Sequence, residues 1–146
     1  MANDKKIRDV MTAKPACVSA KDSIRDVAKI MVREDTGVVP VVDGKKVIGM
    51  ITDRDIVVRL VAEGKDPSSA KVNEAMTKDV RSVKEDSTVN DALQLMSSAQ
   101  IRRVAVVNNN NEIVGIVSMK DIATESKDSD RIGKTVEKIS EGRPNN

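Results

Sequence analysis

The tightest constraint on this chain is that one eight-residue string occurs twice. Gly49-Met50-Ile51-Thr52-Asp53-Arg54-Asp55-Ile56 returns as Gly115-Ile116-Val117-Ser118-Met119-Lys120-Asp121-Ile122. Each reads glycine, two apolar residues, a hydroxyl residue, two variable positions, aspartate, isoleucine. The pattern predicts a short buried strand that stops at the hydroxyl residue, where a helix begins. Thr52 and Ser118 are suited to N-caps, and Asp55 and Asp121 fall three residues on. Each stretch is thus a capping box with aspartate in place of the commoner Glu or Gln. A helix start also presents free N–H groups and a partial positive charge, which suits a phosphate.

The repeat reaches well beyond this string. Val10-Met11-Thr12 matches Ala75-Met76-Thr77 at a spacing of 65 residues. The same spacing pairs Val18 with Val83, Ser23 with Thr88, Asp26 with Asp91, Met31 with Met96, Val39 with Val104 and Val41 with Val106. At the glycines the spacing becomes 66, so the second copy carries one extra residue in a turn, where insertions are tolerated. The division expected is a first repeat over 7–64, a linker over 65–72, a second repeat over 73–124, and a C-terminal segment over 125–146.

Within the first copy, Ala16 to Ser19 is an extended piece, and Asp22 or Ser23 caps a helix bearing Ile24, Val27, Ala28 and Met31. Val38 to Val42 is a β-branched strand in which Pro40 restricts the hydrogen-bond ladder. Asp43-Gly44 signals a hairpin turn, and Lys46 to Ile51 is the return strand. The helix starting at Thr52 is expected to run through Ile56, Val57, Leu60 and Val61 and to end at Gly64 to Pro67. In the second copy, Val80 to Val83 is extended, and Ser87 caps a helix with Val89, Ala92, Leu93 and Met96. Arg103 to Val107 and Glu112 to Val117 form the hairpin around Asn108 to Asn111, and Ser118 opens the last helix of the copy. The fold class expected is α/β (α+β): two tandem β-α-β-β-α repeats packed as one pseudo-two-fold module, since one copy alone offers a small core. Beyond the repeat, Ile132, Val136 and Ile139 are spaced as the stripe of a short amphipathic helix, followed by a frayed end.

Composition removes several classes of function. The chain has no histidine and one cysteine, Cys17. This excludes Ser-His-Asp and Cys-His catalysis, His-ligated metals and an intrachain disulfide, and it suits a reducing compartment. Asp53 and Asp55, on one helix turn, do not by themselves make a metal-dependent hydrolase site. Aromatic residues are absent and the net charge is +2, with both signs intermixed, so no stacking platform or basic face argues for nucleic acid. No apolar run reaches the length of a membrane span or signal peptide. The expectation is a cytoplasmic protein that acts on neither membrane nor nucleic acid, with no catalytic cofactor and no metal.

Two copies of β-α-β-β-α, each opening on Met-Thr and closing on G-h-h-S/T-x-x-D, resemble a tandem CBS-domain pair, the Bateman module. The resemblance covers about four-fifths of the chain, residues 7–124. It implies a non-catalytic regulatory module binding an adenosine-containing nucleotide of the AMP, ADP or ATP type in the clefts between the repeats. It further implies signalling through conformational or dimer-interface change, a homodimer, and a regulated protein whose identity is open. Carried over residue by residue, Asp55 with Thr52, and Asp121 with Ser118, would meet ribose and phosphate. Val18, Val38, Val39 and Pro40 in copy one, and Val83, Val104 and Ala105 in copy two, would surround adenine. Arg54, Lys120, Arg102 and Arg103 are the phosphate candidates, because guanidinium and ammonium groups match phosphate oxygens. Copy two departs from the family pattern at Ala105, Asn108 and Met119-Lys120.

Plainer readings stand beside these. The four motif residues serve as helix caps whether or not they touch a ligand. Arg102 and Arg103 could be solvated edge charges. Met11, Met31, Met76 and Met96 read as core filler, and Cys17 as a small buried residue. The alternative function is a constitutive homodimerisation scaffold whose ligand clefts are vestigial.

Overall fold

The computed structural model describes residues 5–125 together with 136, 138 and 139. The capping signals are realised locally. Helix α1 (Ile24–Glu34) starts at Ser23, whose side chain accepts from the Asp26 backbone N–H. Helix α3 (Val89–Ala99) is capped by Thr88 in a full capping box with Asp91. The cap is therefore one residue later than the Ser87 expected, because Ser87 is spent on a turn in which its N–H donates to the Lys84 carbonyl. Thr88 is also the residue that stands at the repeat spacing from Ser23.

Strands β2 (Val38–Asp43) and β3 (Lys46–Thr52) form the first hairpin. Asp43 pairs with Lys46, leaving Gly44 and Lys45 in the loop, and of the two only Gly44 has a positive φ, +66°. A positive φ at the first loop residue alone is the pattern of a type II′ turn, which glycine adopts without strain. Pro40 costs β2 nothing on its hairpin side. Its carbonyl, and hence its nitrogen, faces the opposite edge, where Val18 N–H bonds the Pro40 carbonyl at 3.0 Å. The second hairpin is β5 (Arg103–Val107) with β6 (Ile113–Ser118).

Each hairpin is flanked in the same way. In one sheet the order is β1-β6-β5-β4, where β1 is Thr12–Ala13 and β4 is Ser82–Lys84. Strand β1 runs antiparallel to β6, with Thr12 opposite Ile116, and β4 runs parallel to β5. Around the first hairpin the same positions are filled by single bridges, Val18 parallel to Val41 and Thr77 antiparallel to Met50.

The sequence repeats and the structural units are consequently different partitions. One compact unit comprises 15–80 with 111–113; the other comprises the described parts of 1–14, 81–110 and 114–146. They are called here the Asp55 unit and the Asp121 unit. The Met-Thr segment that opens each sequence copy packs against the hairpin of the other. Thr12 pairs beside Gly115, and Thr77 beside Gly49. The glycines explain how these segments fit. A Cβ on Gly49 would lie 2.9 Å from the Thr77 carbonyl oxygen, and one on Gly115 would lie 3.0 Å from the Thr12 carbonyl oxygen and collide with Met11.

Each unit has its own core. In the Asp55 unit Ile24, Val27, Val39, Val41, Ile51, Leu60 and Val72 are among the residues packed together. In the Asp121 unit the set includes Ile7, Val89, Leu93, Met96, Val104, Val117 and Ile122. The Met residues divide: Met76 and Met96 are buried members of these cores, while Met11 and Met31 pack against them partly exposed.

The helix after Thr52 differs from its sequence expectation. It is α-helical only over α2 (Asp53–Ile56) and continues with π-type bonding over Val57–Val61. The Ala62 and Lys65 N–H groups donate five residues back, to the Val57 and Leu60 carbonyls. In this segment Leu60 is buried, whereas Val57 is 56% and Val61 55% exposed. Helix α4 (Met119–Glu125) follows Ser118. The expected C-terminal amphipathic helix lies outside the described residues except at three positions. Backbone is helical at Val136, Lys138 and Ile139, and Ile139 is buried in the Asp121 core.

Candidate functional site

The two motif aspartates sit where a strand end becomes a helix start, and the first turn fixes each carboxylate. In the Asp55 unit the Thr52 N–H donates to Asp55 Oδ2 at 2.9 Å, and the Asp55 N–H donates to Thr52 Oγ1 at 3.0 Å. In the Asp121 unit the Ser118 N–H donates to Asp121 Oδ2 at 3.0 Å, and the Asp121 N–H to Ser118 Oγ at 3.1 Å. Aspartate is one carbon shorter than the usual capping-box Glu, yet its carboxylate still reaches back. This leaves Oδ1 of each outside the cap's hydrogen bonds.

A second pair of bonds anchors the same ends. The Asp53 N–H donates to the Gly37 carbonyl at 3.0 Å, and the Met119 N–H to the Arg102 carbonyl at 2.8 Å. The residue preceding each hairpin is thereby held against the helix start. The role found for Arg102 is carried by its backbone, and its side chain is exposed. Arg54, Arg103 and Lys120 are likewise exposed.

The hairpin faces sort the expected apolar residues. Val39 and Val41 point into the helix-packed core, so Val38 and Pro40, alternating with them, lie on the other face. Val38 is paired with Thr52, and Pro40 with Met50, which brings the capping threonine onto that same face. In the Asp121 unit Val104 and Val106 are core residues, and Arg103 and Ala105 occupy the positions of Val38 and Pro40. Val18, Val39 and Val104, expected around adenine, are thus members of the two cores, since strand periodicity puts Val39 and Val104 on the inward face. Val83 is half-buried and packs partly against the Asp121 core. The structure brings Val38, Pro40, Thr52 and Asp55 to one end of the first hairpin, and Arg103, Ala105, Ser118 and Asp121 to the matching elements of the second.

Two residues that the motif reading did not single out reach the Asp55 carboxylate. Thr77 Oγ1 donates to Asp55 Oδ1 at 3.4 Å. Arg59 places Nε 3.8 Å from the same oxygen while its Nη1 donates to the Met76 carbonyl at 2.9 Å. Thr77 carried a signal in the sequence, the recurrence of Met-Thr. Arg59 carried none, because position 125, its counterpart in the second copy, is glutamate.

Cys17 is half-buried, its Sγ donates to the Pro15 carbonyl, and burial pushes its thiol up. Among the described residues no group of three His, Cys, Asp or Glu could hold a metal ion. No helix among them is long and apolar enough to cross a membrane.

These features match known proteins at the level of family and fold. The CBS domain model matches twice, over residues 7–62 and 72–128. Protein YlbB of Bacillus subtilis is 39% identical over 139 residues, covering 94% of this chain and 93% of its own. The CBS domain-containing protein YhcV of the same organism is 37% identical, covering 92% and 94%. Among solved structures, Hypoxic Response Protein I with two coordinated zinc ions superposes with a TM-score of 0.76 at 33% identity, over 84% of this chain and 99% of that one. The CBS domain pair of protein MJ0100, in complex with 5′-methylthioadenosine and S-adenosyl-L-methionine, superposes with a TM-score of 0.74 at 30% identity, over 82% and 98%. With the doubled strand-cap-aspartate motif, two hairpins flanked at matching positions and two family matches spanning most of its length, this chain belongs to the CBS-domain family as a CBS-domain pair.

Proposed function

We propose that this CBS-domain pair is a non-catalytic regulatory module whose effector is an adenosine-containing nucleotide of the AMP, ADP or ATP type. One observation carries the reading. Each unit fixes a carboxylate by its own helix cap while the second carboxylate oxygen stays outside the cap's hydrogen bonds, beside the capping hydroxyl at the end of a hairpin. A vicinal diol can donate to such an oxygen, and Asp55 and Asp121 are the ribose-binding residues in this reading. Adenine rests against Val38 and Pro40, and against Ala105 in the second unit with Val83 beside it. Thr52 and Ser118 approach the phosphate, and the exposed side chains of Arg54, Arg102, Arg103 and Lys120 are free to swing onto it. The adenosine-containing ligands of the MJ0100 pair support the ligand class.

The ligand acts by binding two conformations unequally, with no bond made or broken in it. The response is read by a second copy and by a regulated protein. Self-association is favoured by the apolar surface at Val57, Val58 and Val61, exposed by 56%, 46% and 55%. The same surface favours the alternative, a constitutive homodimeric scaffold that needs no ligand. A thermal-shift screen separates the two. AMP, ADP, ATP, 5′-methylthioadenosine and S-adenosyl-L-methionine are tested against guanine nucleotides, on protein freed of carried-over ligand. A saturable, adenine-selective rise in Tm is expected. Its absence for every adenosine compound leaves the scaffold.

A further inference from the structure

We propose that Arg59 is a built-in competitor for the Asp55 carboxylate, so that an adenosine ligand fills the Asp121 site first and the Asp55 site only when Arg59 swings out. The inference rests on the functional reading above and adds to it an order of occupancy and the residue that sets it.

The two carboxylates differ in what already touches them. Asp121 Oδ2 accepts from its own cap, and Oδ1 makes no hydrogen bond or ion pair among the described residues. Asp55 Oδ2 is used in the same way, but Oδ1 faces Thr77 Oγ1 at 3.4 Å and Arg59 Nε at 3.8 Å. Oδ1 is the oxygen more open to a ribose diol, because Oδ2 already accepts from the helix start. A ligand using Oδ1 of Asp55 therefore competes with an ion pair and a hydroxyl, whereas one at Asp121 meets neither among the described residues.

Arg59 is well placed to act as such a competitor. Its Nη1 is tied to the Met76 carbonyl at 2.9 Å, one residue before Thr77, so a single guanidinium braces the Met-Thr segment against the carboxylate. Asp55 is largely buried, with a side chain 14% exposed, while that of Arg59 is 49% exposed. Solvent can receive the guanidinium when it leaves, so the contact is a reversible restraint. Arg59 stands four residues beyond Asp55, within the segment Val57–Val61, so one helical turn brings the two side chains to the same face. In the second copy the arginine is missing by sequence. Position 125 is glutamate, and Thr12, the counterpart of Thr77, makes no bond to Asp121 among the described residues. A site competent only in the fraction of molecules with Arg59 displaced binds more weakly in proportion to that fraction.

The test is a calorimetric titration with 5′-methylthioadenosine, which has no phosphate for Arg59 to attract, on the full chain. Asp55→Ala, leaving the Asp121 site, is expected to bind more tightly than Asp121→Ala, leaving the Asp55 site. Adding Arg59→Gln to Asp121→Ala should tighten binding about fivefold, the scale of one part-exposed ion pair. Adding it to Asp55→Ala should change nothing, and Arg59→Lys should fall between. In the otherwise unaltered chain Arg59→Gln should tighten the weaker of two binding steps, which covers the case of a double variant that does not fold. A merely structural Arg59 would lower stability without raising any affinity. Equal affinities at the two sites, or an Asp55 site unchanged or weakened by Arg59→Gln, would overturn the inference and leave the functional reading standing. No binding of 5′-methylthioadenosine or AMP to any variant would instead remove both.

Discussion

The Asp55 and Asp121 units carry the same motif and the same cap, yet the carboxylate at the centre of each meets a different neighbourhood. Asp55 is held by its cap, by Thr77 and by Arg59; Asp121, among the described residues, is held by its cap alone. The difference arises outside the motif, four residues downstream in one case and on a segment from the other sequence copy in the second. The cores diverge in the same manner. The fully buried leucine of the Asp55 unit is Leu60, from the helix after the motif, and that of the Asp121 unit is Leu93, from the helix before the hairpin. At the matching positions of the repeat stand Ser126 and Ala28. A duplicated motif thus preserves the local geometry of a site, while the residues free to drift decide how available that site is.

The largest effects should come from the cores. Leu60→Ala and Leu93→Ala each remove a side chain with essentially no exposure and should each cost about 2–5 kcal/mol in urea unfolding. A leucine that proved dispensable in one unit would show that its core is not built as described. Next are the glycines. Gly49→Ala and Gly115→Ala force a Cβ against the carbonyl of Thr77 or Thr12 and should cost about 1–3 kcal/mol each. Neutral behaviour at Gly115 would mean that the Met11-Thr12 strand yields more easily than its counterpart.

Smaller and more symmetrical are the caps. Thr52→Ala and Ser118→Ala should each cost about 1 kcal/mol, because both remove one acceptor from the first turn. Unequal costs would place the asymmetry in the cap itself, contrary to the geometry. Arg59→Gln should cost at most about 1 kcal/mol, since half of its side chain is exposed and solvent replaces part of what is lost. The smallest effect is read at Cys17, which has Ser82 at the matching position. Burial raises its thiol, so at pH 8 it should alkylate more slowly in the folded chain than after denaturation. The sign follows: folding favours the protonated thiol, so its contribution is fully present below the unfolded-state value and is lost as pH rises through the raised folded-state value.

What the sequence disclosed and what it withheld follow the range of the interactions. The capping boxes at Thr52 and Ser118 were legible because a cap closes within four residues. The hairpins were legible because Asp43-Gly44 and alternating valines act over a few positions. The exchange of the Met-Thr segments was not, because Thr12 opposite Ile116 is a pairing across about a hundred residues that no periodicity encodes. The π-type bonding over Val57–Val61 was not legible, because the apolar residues there fit an uninterrupted α-helix. Thr88 rather than Ser87 as the α3 cap could have been read from the repeat spacing itself. The candidate site was legible as four residues, Thr52, Asp55, Ser118 and Asp121, and Arg59 entered only with coordinates.

The most direct measurement of the central claim is the equilibrium binding of AMP to the unaltered chain and to the Asp55→Ala/Asp121→Ala double variant by calorimetry. The account predicts saturable binding to the former and none to the latter, with the variant still folded by far-UV circular dichroism. Undiminished binding to the folded double variant would show that ribose is held elsewhere, and would contradict it.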